Sequence, residues 1–99
     1  MIILCLHPSG DIQELNIEHK LIHTYFDGDT ITFCGAILDL NVVAMARQTK
    51  QENDIINVFS QQFPLIFEET FGKILLIGSD VNGRECNFDV EAVKKILFL

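Results

Sequence analysis

The chain has 99 residues, a length that fits a single domain over residues 1–99. Apolar residues make up 48% of the sequence and charged residues only 21%, a balance that excludes intrinsic disorder. Fourteen acidic and seven basic residues give a formal net charge of −7, and such a surface repels the phosphate backbone on which nucleic-acid affinity depends. We therefore predict no direct binding to nucleic acid.

The N-terminal third predicts a hairpin followed by a helix. Ile2–Leu6 is an apolar strand, the turn residues Pro8–Asp11 follow it, and apolar and polar residues then alternate over Ile12–Ile17 as in a second strand. The apolar spacing next changes to that of a helix, which we place at Glu18–Phe26 and end at Asp27–Asp29.

The middle of the chain predicts two further strands. Thr30–Phe33 is β-branched and aromatic, and Gly35 marks a bulge or bend. The stretch that follows fits either a strand or a helix. Asp39 and Asn41 indicate a turn inside it, with Val42–Thr49 as the fourth strand.

A second helix is predicted to begin after Asn53, its N-cap, and to end at Pro64. The structure of Leu65–Phe71 stays open. The apolar residues at helical spacing in this helix are Ile55, Ile56, Val58, Phe59 and Phe63.

The C-terminal third predicts a hairpin and a last helix. Lys73–Ile77 is a buried strand, Asn82-Gly83 is a strong hairpin turn, and Glu85–Phe88 is expected to pair back. Asp89 is the predicted N-cap of the helix. The inner face of that helix is Val90, Val93, Ile96 and Leu97.

The resulting order is β-β-α-β-β-α-β-β-α. It predicts an α+β domain with a mostly antiparallel sheet and three helices packed on one face.

The C-terminal segment resembles a known family. The run Phe71–Gly78, followed by Asn82-Gly83 and Asp89–Glu91, is similar to the C-terminal part of an uncharacterised family of small bacterial and phage proteins, and the N-terminal apolar hairpin fits it as well. The function of that family is unknown, so the resemblance implies no functional residue. It implies an origin in a bacterium or a phage, and it favours a phage.

The cysteines and the acidic and histidine clusters indicate no site. Cys5, Cys34 and Cys86 are odd in number and far apart, which favours reduced thiols over disulfides or zinc. The pair His19 and His23, spaced i, i+4, lacks a metalloprotease motif and fits solvated residues. The segment 80–91 resembles a calcium loop but fits an ordinary hairpin turn better. The acidic pairs at 27–29 and 68–69 could serve in acid–base catalysis, but they fit solvated surface residues better. We predict no catalytic, cofactor-binding or metal-binding residue.

Aromatic residues recur every four positions from Phe59 to Phe71, more than one loop can easily bury. Together with neighbouring acids and the C-terminal Phe98, they indicate an exposed interaction surface. The residues predicted for this surface are Phe63, Phe67, Glu68, Glu69, Phe71 and Phe98.

These observations favour a small acidic, non-enzymatic interaction protein, an inhibitor or modulator of a host protein. We expect a protein partner, a homodimer, no cofactor, no membrane span, and a cytoplasmic location in a cell or an infected host. An alternative is a protein that binds or sequesters a small molecule such as a signalling nucleotide. A third hypothesis is a small metal-dependent enzyme that uses His19 and His23.

Overall fold

The structure, a computed structural model, describes residues 2–18, 26, 30–48 and 54–98. Within these residues it has an antiparallel sheet of five strands, two α-helices and one short 3-10 helix, so the fold is α+β as predicted. The elements are β1 (Ile2–Leu6), β2 (Ile12–Asn16), β3 (Ile31–Ile37), the 3-10 helix (Leu38–Leu40), β4 (Val42–Arg47), α1 (Val58–Gln62), β5 (Ile74–Gly78) and α2 (Val90–Leu97).

Strand β5 lies at the centre of the sheet, whose order is β2-β1-β5-β4-β3. It pairs antiparallel with β1 on one side and with β4 on the other, and Leu76 is opposite both Leu4 and Ala44. All five residues of β5 are buried. A strand that is covered on both faces reads as a continuous apolar run, which is why 74–78 contains no polar side chain.

The two faces of the sheet are packed differently. Helices α1 and α2 cover the first, which we call the helix face, through Phe59, Val93 and Leu97. The second, the opposite face, has a smaller buried cluster that includes Phe26. Both described helices therefore pack on one face, as predicted. The buried strand residues are Leu4, Leu6, Cys34, Val42, Ala44, Ala46, Ile74 and Leu76 in the helix-face cluster and Ile3, Cys5, Leu75 and Ile77 in the opposite cluster.

The number of helices differs from the prediction. Two α-helices and a 3-10 helix are present in the described part of the chain, where the sequence led us to expect three helices. The first predicted helix, Glu18–Phe26, lies outside the described residues except for its two end residues.

The second helix begins later than predicted. It starts at Val58, and its N-cap is Asn57, not Asn53, which lies outside the described residues. Ile56 instead forms an isolated β-bridge with Phe71, and the backbone N–H of Asn57 donates to the carbonyl of Thr70 at 2.7 Å. These long-range hydrogen bonds hold the chain extended up to the cap.

The predicted strand Glu85–Phe88 was wrong. The Asn82-Gly83 turn forms, with Gly83 at a φ of 78°, but only one bridge follows it, between Ser79 and Glu85. Because β1 and β4 already occupy both edges of β5, the returning chain has no free edge with which to pair. It crosses the end of β5 instead, where the Cys86 N–H donates to the Gly78 carbonyl at 3.2 Å.

Several local predictions are confirmed. The β3–β4 register shifts between Phe33 and Gly35, so a bulge lies there, and a side chain at Gly35 would collide with the backbone of Ile66. The turn between the two strands contains Asp39 and ends at Asn41, which is in the left-handed region with a φ of 56°. The last helix is capped by the Asp89 side chain, which accepts from the Ala92 N–H at 3.1 Å. None of the helices in the described residues is long and apolar enough to cross a membrane.

Candidate functional site

The six residues of the predicted interaction surface do not form one surface. Phe67 is buried, and it forms a β-bridge with Gly35 that covers part of the outer edge of β3. Phe63 is half-buried against the helix-face core. Phe98 is 68% exposed at the C-terminal end of α2. Phe67 and Phe63 are therefore mainly packing residues.

The other three predicted residues meet in a recess beside β3. Glu68 and Glu69 are exposed and Phe71 is half-buried, and all three line a cavity of about 200 Å³. The Glu68 N–H donates to the Cys34 carbonyl of β3 at 2.7 Å. The recess lies beside this contact, between β3 and the segment 68–71. Its other wall includes Arg47, and this recess is what remains of the predicted surface.

The thiol in this recess is not an activated nucleophile. Burial raises the pKa of Cys34 to about 11; the negative charge of Glu68 adds to the rise, and a hydrogen bond with Thr70 opposes it. A cysteine with a raised pKa is a neutral thiol at neutral pH and reacts slowly. Cys5 is buried as well, and Cys86 is half-buried in the loop after β5; none of the three forms a disulfide.

Two strongly exposed apolar side chains lie elsewhere, at two adjacent turns that the sequence analysis did not connect. Leu38, in the 3-10 helix, is 80% exposed, and Val81, at the tip of the 79–85 loop, is 93% exposed. The Ser79 N–H donates to the Asn41 carbonyl at 2.8 Å, which ties the loop to the β3–β4 turn. The two apolar side chains both line one recess of about 350 Å³.

A second recess extends this surface along the opposite face of the sheet. It is about 170 Å³ and is lined by Phe33, which is 64% exposed, and by the half-buried Met45. Both recesses share Val43 and Ser79, so the two recesses form an adjacent pair. We call this the apolar groove and define it by Phe33, Leu38, Val43, Met45, Ser79 and Val81.

The rim of the apolar groove is acidic. Asp80 lines the first recess, Glu85 lines the second, and Asp39 is exposed next to Leu38. The 79–85 loop also contains one cation, Arg84, so acids exceed bases around the groove. This excess matches the formal net charge of −7 for the whole chain.

The Asp80 carboxylate stabilises the loop. One of its oxygens accepts from the N–H groups of Asn82 and Arg84, both at 2.9 Å. This is a turn held by a side chain, as the turn interpretation of the segment predicts. Among the residues that the structure describes, no three His, Cys, Asp or Glu side chains are grouped to hold a metal ion. His19 and His23 lie outside those residues.

The sequence did contain an indication of the groove. Turns normally expose polar residues, yet the turn at Asp39 contains Leu38, and the Asn82-Gly83 turn is preceded by Val81. Apolar side chains at two turns are the pattern of an exposed apolar patch. The sequence does not show that the two turns are neighbours, because that depends on the pairing of β4 with β5.

Comparison with known proteins gives one match. No curated protein and no solved structure is significantly similar to the chain. The model of a family of unknown function, DUF5880, matches residues 4–96, which extends the resemblance seen at the two ends to nearly the whole chain. This chain therefore belongs to the DUF5880 family of unknown function.

Proposed function

We propose that this protein is a non-enzymatic protein-binding domain that holds a basic partner protein in the apolar groove. The observation that carries the proposal is the exposure of three large apolar side chains, Phe33, Leu38 and Val81, around two adjacent recesses. Single exposed apolar residues are ordinary, but a contiguous patch with a polar rim is typical of an interaction surface.

The apolar part of the groove supplies the binding free energy. Burying a large apolar side chain contributes roughly 1.5–3 kcal/mol, so covering these side chains is enough to drive association once its entropic cost is met. The groove is also preformed. Strands β4 and β5 provide its floor, and the hydrogen bond between Ser79 and Asn41 fixes the distance between its two sides.

The acidic rim determines the kind of partner. Asp39, Asp80 and Glu85 repel an acidic surface and attract a basic one, and the net charge of −7 extends this preference over a longer range. Charge complementarity mainly raises the association rate and excludes wrong partners. We therefore propose a partner segment in which apolar side chains alternate with lysines or arginines.

In this proposal the protein acts by occupying its partner. The expected origin in a phage makes a host protein the partner, and inhibition or modulation follows when the bound segment is one that the host protein uses. A second copy of this chain is a poorer occupant, because its own surface is acidic.

The test compares the double variant Leu38→Ser/Val81→Ser with the control Leu65→Ser. Leu65 is 100% exposed but lies outside the groove, so the control makes the same change elsewhere. The stability of both variants should stay within about 0.5 kcal/mol of the parent, because exposed side chains contribute little to folding. Each protein is immobilised, and the host proteins that it retains are quantified by mass spectrometry at low and high salt.

We expect a basic host protein that the parent and Leu65→Ser retain, that Leu38→Ser/Val81→Ser loses, and that high salt releases. Retention of the same proteins by all variants would show that the groove is not the binding surface. Retention of an acidic protein, or of this chain, that Leu38→Ser/Val81→Ser abolishes would contradict the proposed partner.

A further inference from the structure

The two outer edges of the sheet differ in how they are covered. Along β3, the segment 66–68 adds backbone hydrogen bonds, one of which runs from the Glu68 N–H to the Cys34 carbonyl at 2.7 Å. Strand β2 forms the other edge, and no further strand or bridge of the described residues pairs with its outer side. An edge strand of this kind presents a row of unpaired backbone donors and acceptors.

The hydrogen bonds of the β1–β2 hairpin show which of these groups point outward. At the turn, the His7 N–H donates to the Asp11 carbonyl at 2.9 Å. Bonded and non-bonded residue pairs alternate along two antiparallel strands, so Gln13, two residues further along β2, also directs its N–H and carbonyl towards β1. The N–H and carbonyl groups of Ile12 and Glu14 therefore point away from β1, towards the outer edge.

The outer edge of β2 is open and unprotected. Within the part of the chain that the structure describes, Ile12 and Glu14 make no backbone hydrogen bond beyond the hairpin, and the side chains of Gln13 and Glu14 are exposed. Edge strands are commonly protected from pairing by a proline, a lysine or a bulge. Strand β2 contains neither residue type, and its register with β1 is continuous, so it has no bulge.

The one charge on β2 has an opposite charge beside it. The Glu14 carboxylate is 3.1 Å from the Nζ of Lys94 in α2, so the strand is close to neutral although the whole chain has a formal net charge of −7. Two copies can therefore approach each other here with less repulsion than at the acidic rim of the apolar groove.

An exposed aromatic side chain flanks the same edge. The Phe98 N–H donates to the Lys94 carbonyl at 3.0 Å, so Phe98 lies one helical turn beyond Lys94 and on the same side of α2. Because the Lys94 side chain reaches Glu14, this side of α2 is turned towards β2. Phe98 is 68% exposed and provides apolar surface beside the strand.

We propose that two copies of this chain pair through their β2 strands and join their two five-stranded sheets into one. In an antiparallel pair with a two-fold axis at Gln13, Ile12 of each copy lies opposite Glu14 of the other. Both residues direct their backbone groups outward, so each of these pairs can exchange two hydrogen bonds. The register also avoids placing the two Glu14 side chains directly opposite each other, which would be unfavourable.

The same arrangement explains why a second copy is the occupant. The two-fold axis is perpendicular to the joined sheet, so both α2 helices lie on one face, and each brings Phe98 to the side on which the copies meet. A basic segment of the kind proposed for the apolar groove gains no advantage at this strand, because Lys94 already offsets the charge of Glu14. The contact is one short strand and one side chain, so we expect a dimer that dissociates on dilution.

The test is amide hydrogen exchange of the parent chain at low micromolar and at millimolar concentration. The Ile12 and Glu14 amides should exchange rapidly in dilute solution and at least about tenfold more slowly in concentrated solution, because the dimer gives them partners. The Gln13 and Leu15 amides, which are bonded to β1, should be protected at both concentrations.

Two variants at one position separate backbone pairing from side-chain charge. Glu14→Pro removes the outward N–H, and an edge strand tolerates proline where the N–H faces solvent, so the chain should stay folded. The dimer should weaken by about tenfold or more in sedimentation equilibrium, since both copies lose a donor. The control Glu14→Gln keeps the N–H and should dimerise within a few-fold of the parent.

Three results would overturn the proposal. The first is exchange of Ile12 and Glu14 that does not depend on concentration, and the second is equal dimerisation of Glu14→Pro and Glu14→Gln. The third is protection of these two amides only after the captured host protein is added, which would assign the edge to that protein. Exchange is measured on the parent chain, so the test holds even where Glu14→Pro folds poorly. Glu14→Pro should leave capture of the basic host protein unchanged, so this proposal and the proposed function can fail separately.

Discussion

The two faces of the sheet are formed by the same strands, but their side chains are buried to different extents. On the helix face, Leu4, Leu76 and Val93 are completely buried, and α1 and α2 close the surface. On the opposite face, burial falls along the sheet from Leu75, which is completely buried, to Phe33, which is mostly exposed.

Because of this difference in burial, we expect the helix face to determine the stability of the protein and the opposite face to serve in binding. The helix face contains the larger cluster and the polar contacts that hold the connecting segments, so changes there should unfold the protein. The apolar groove extends along the opposite face, where Phe33 is exposed and Met45 is half-buried among the residues that the structure describes. Substitutions can therefore test binding there without a large loss of stability.

The largest expected effect comes from Asn57→Ala, which breaks the polar centre of the helix face. The buried Asn57 amide donates to the carbonyls of Leu6 and Gly72, both at 2.9 Å, and its side-chain oxygen accepts from the Phe59 N–H at 3.0 Å. The variant leaves buried backbone groups without partners and removes the cap of α1. We expect a loss of about 3–5 kcal/mol in the free energy of unfolding, measured by urea denaturation.

Two further variants isolate the cause. Asn87→Ala, at an exposed position, should change stability by less than about 0.5 kcal/mol. Asn57→Asp keeps an oxygen to cap α1 but loses both donated hydrogen bonds, so it should be nearly as unstable as Asn57→Ala. A stable Asn57→Asp would mean that the cap alone matters and that the carbonyls of Leu6 and Gly72 need no donor.

Asn57 also shows why sequence analysis located some elements and missed others. The strands Ile2–Leu6 and Lys73–Ile77 were predictable because apolar runs bounded by turn residues specify them locally. The start of α1 was not predictable, since the spacing of Ile55 and Ile56 fits a helix equally well. The residue at which α1 begins is decided by hydrogen-bond partners far away in the chain, such as the Leu6 carbonyl, which lies 51 positions from Asn57.

The candidate sites were less predictable than the fold for a similar reason. The sequence suggested an aromatic and acidic surface but assigned it partly to Phe67, which the bridge to Gly35 buries. Both sites proposed above depend on which strands are neighbours. The sheet order is set by long-range pairing, so scattered residues such as Leu38 and Val81 line one recess without any motif.

A smaller effect should appear at alkaline pH, through the Cys34 thiol of the helix-face cluster. Burial raises the pKa of Cys34 from 9.0 to about 11 in the folded protein, whereas the thiol of the unfolded chain ionises near 9.0. This thiol therefore does not reduce the free energy of unfolding below pH 9. As the pH rises towards 11 the free energy of unfolding decreases, because only the unfolded state releases the proton in that range. The loss from this group should reach about 2–3 kcal/mol.

The measurement compares the parent with Cys34→Ala, because other groups also titrate at high pH. The free energy of unfolding of the parent, relative to that of Cys34→Ala, should be constant below pH 9 and should decrease between pH 9 and 11. Alkylation by iodoacetamide gives an independent check, in which the half-buried Cys86 should react before Cys34. A Cys34 that reacts as fast as Cys86 at neutral pH would show that the helix face opens readily.

The smallest expected effect is weak self-association, which tests whether the helix face is closed at its end. Phe98 is 68% exposed at the end of α2, and covering it in a dimer would contribute roughly 1.5–3 kcal/mol per side chain. The net charge of −7 opposes contact between two copies, so salt should strengthen the association by screening that repulsion. Sedimentation equilibrium at micromolar concentration in moderate salt should therefore show a monomer–dimer equilibrium that Phe98→Ser weakens. Leu65→Ser, which removes an apolar side chain that is also exposed, should leave the equilibrium unchanged if Phe98 is at the contact, and a mass of one chain at every concentration would exclude the dimer.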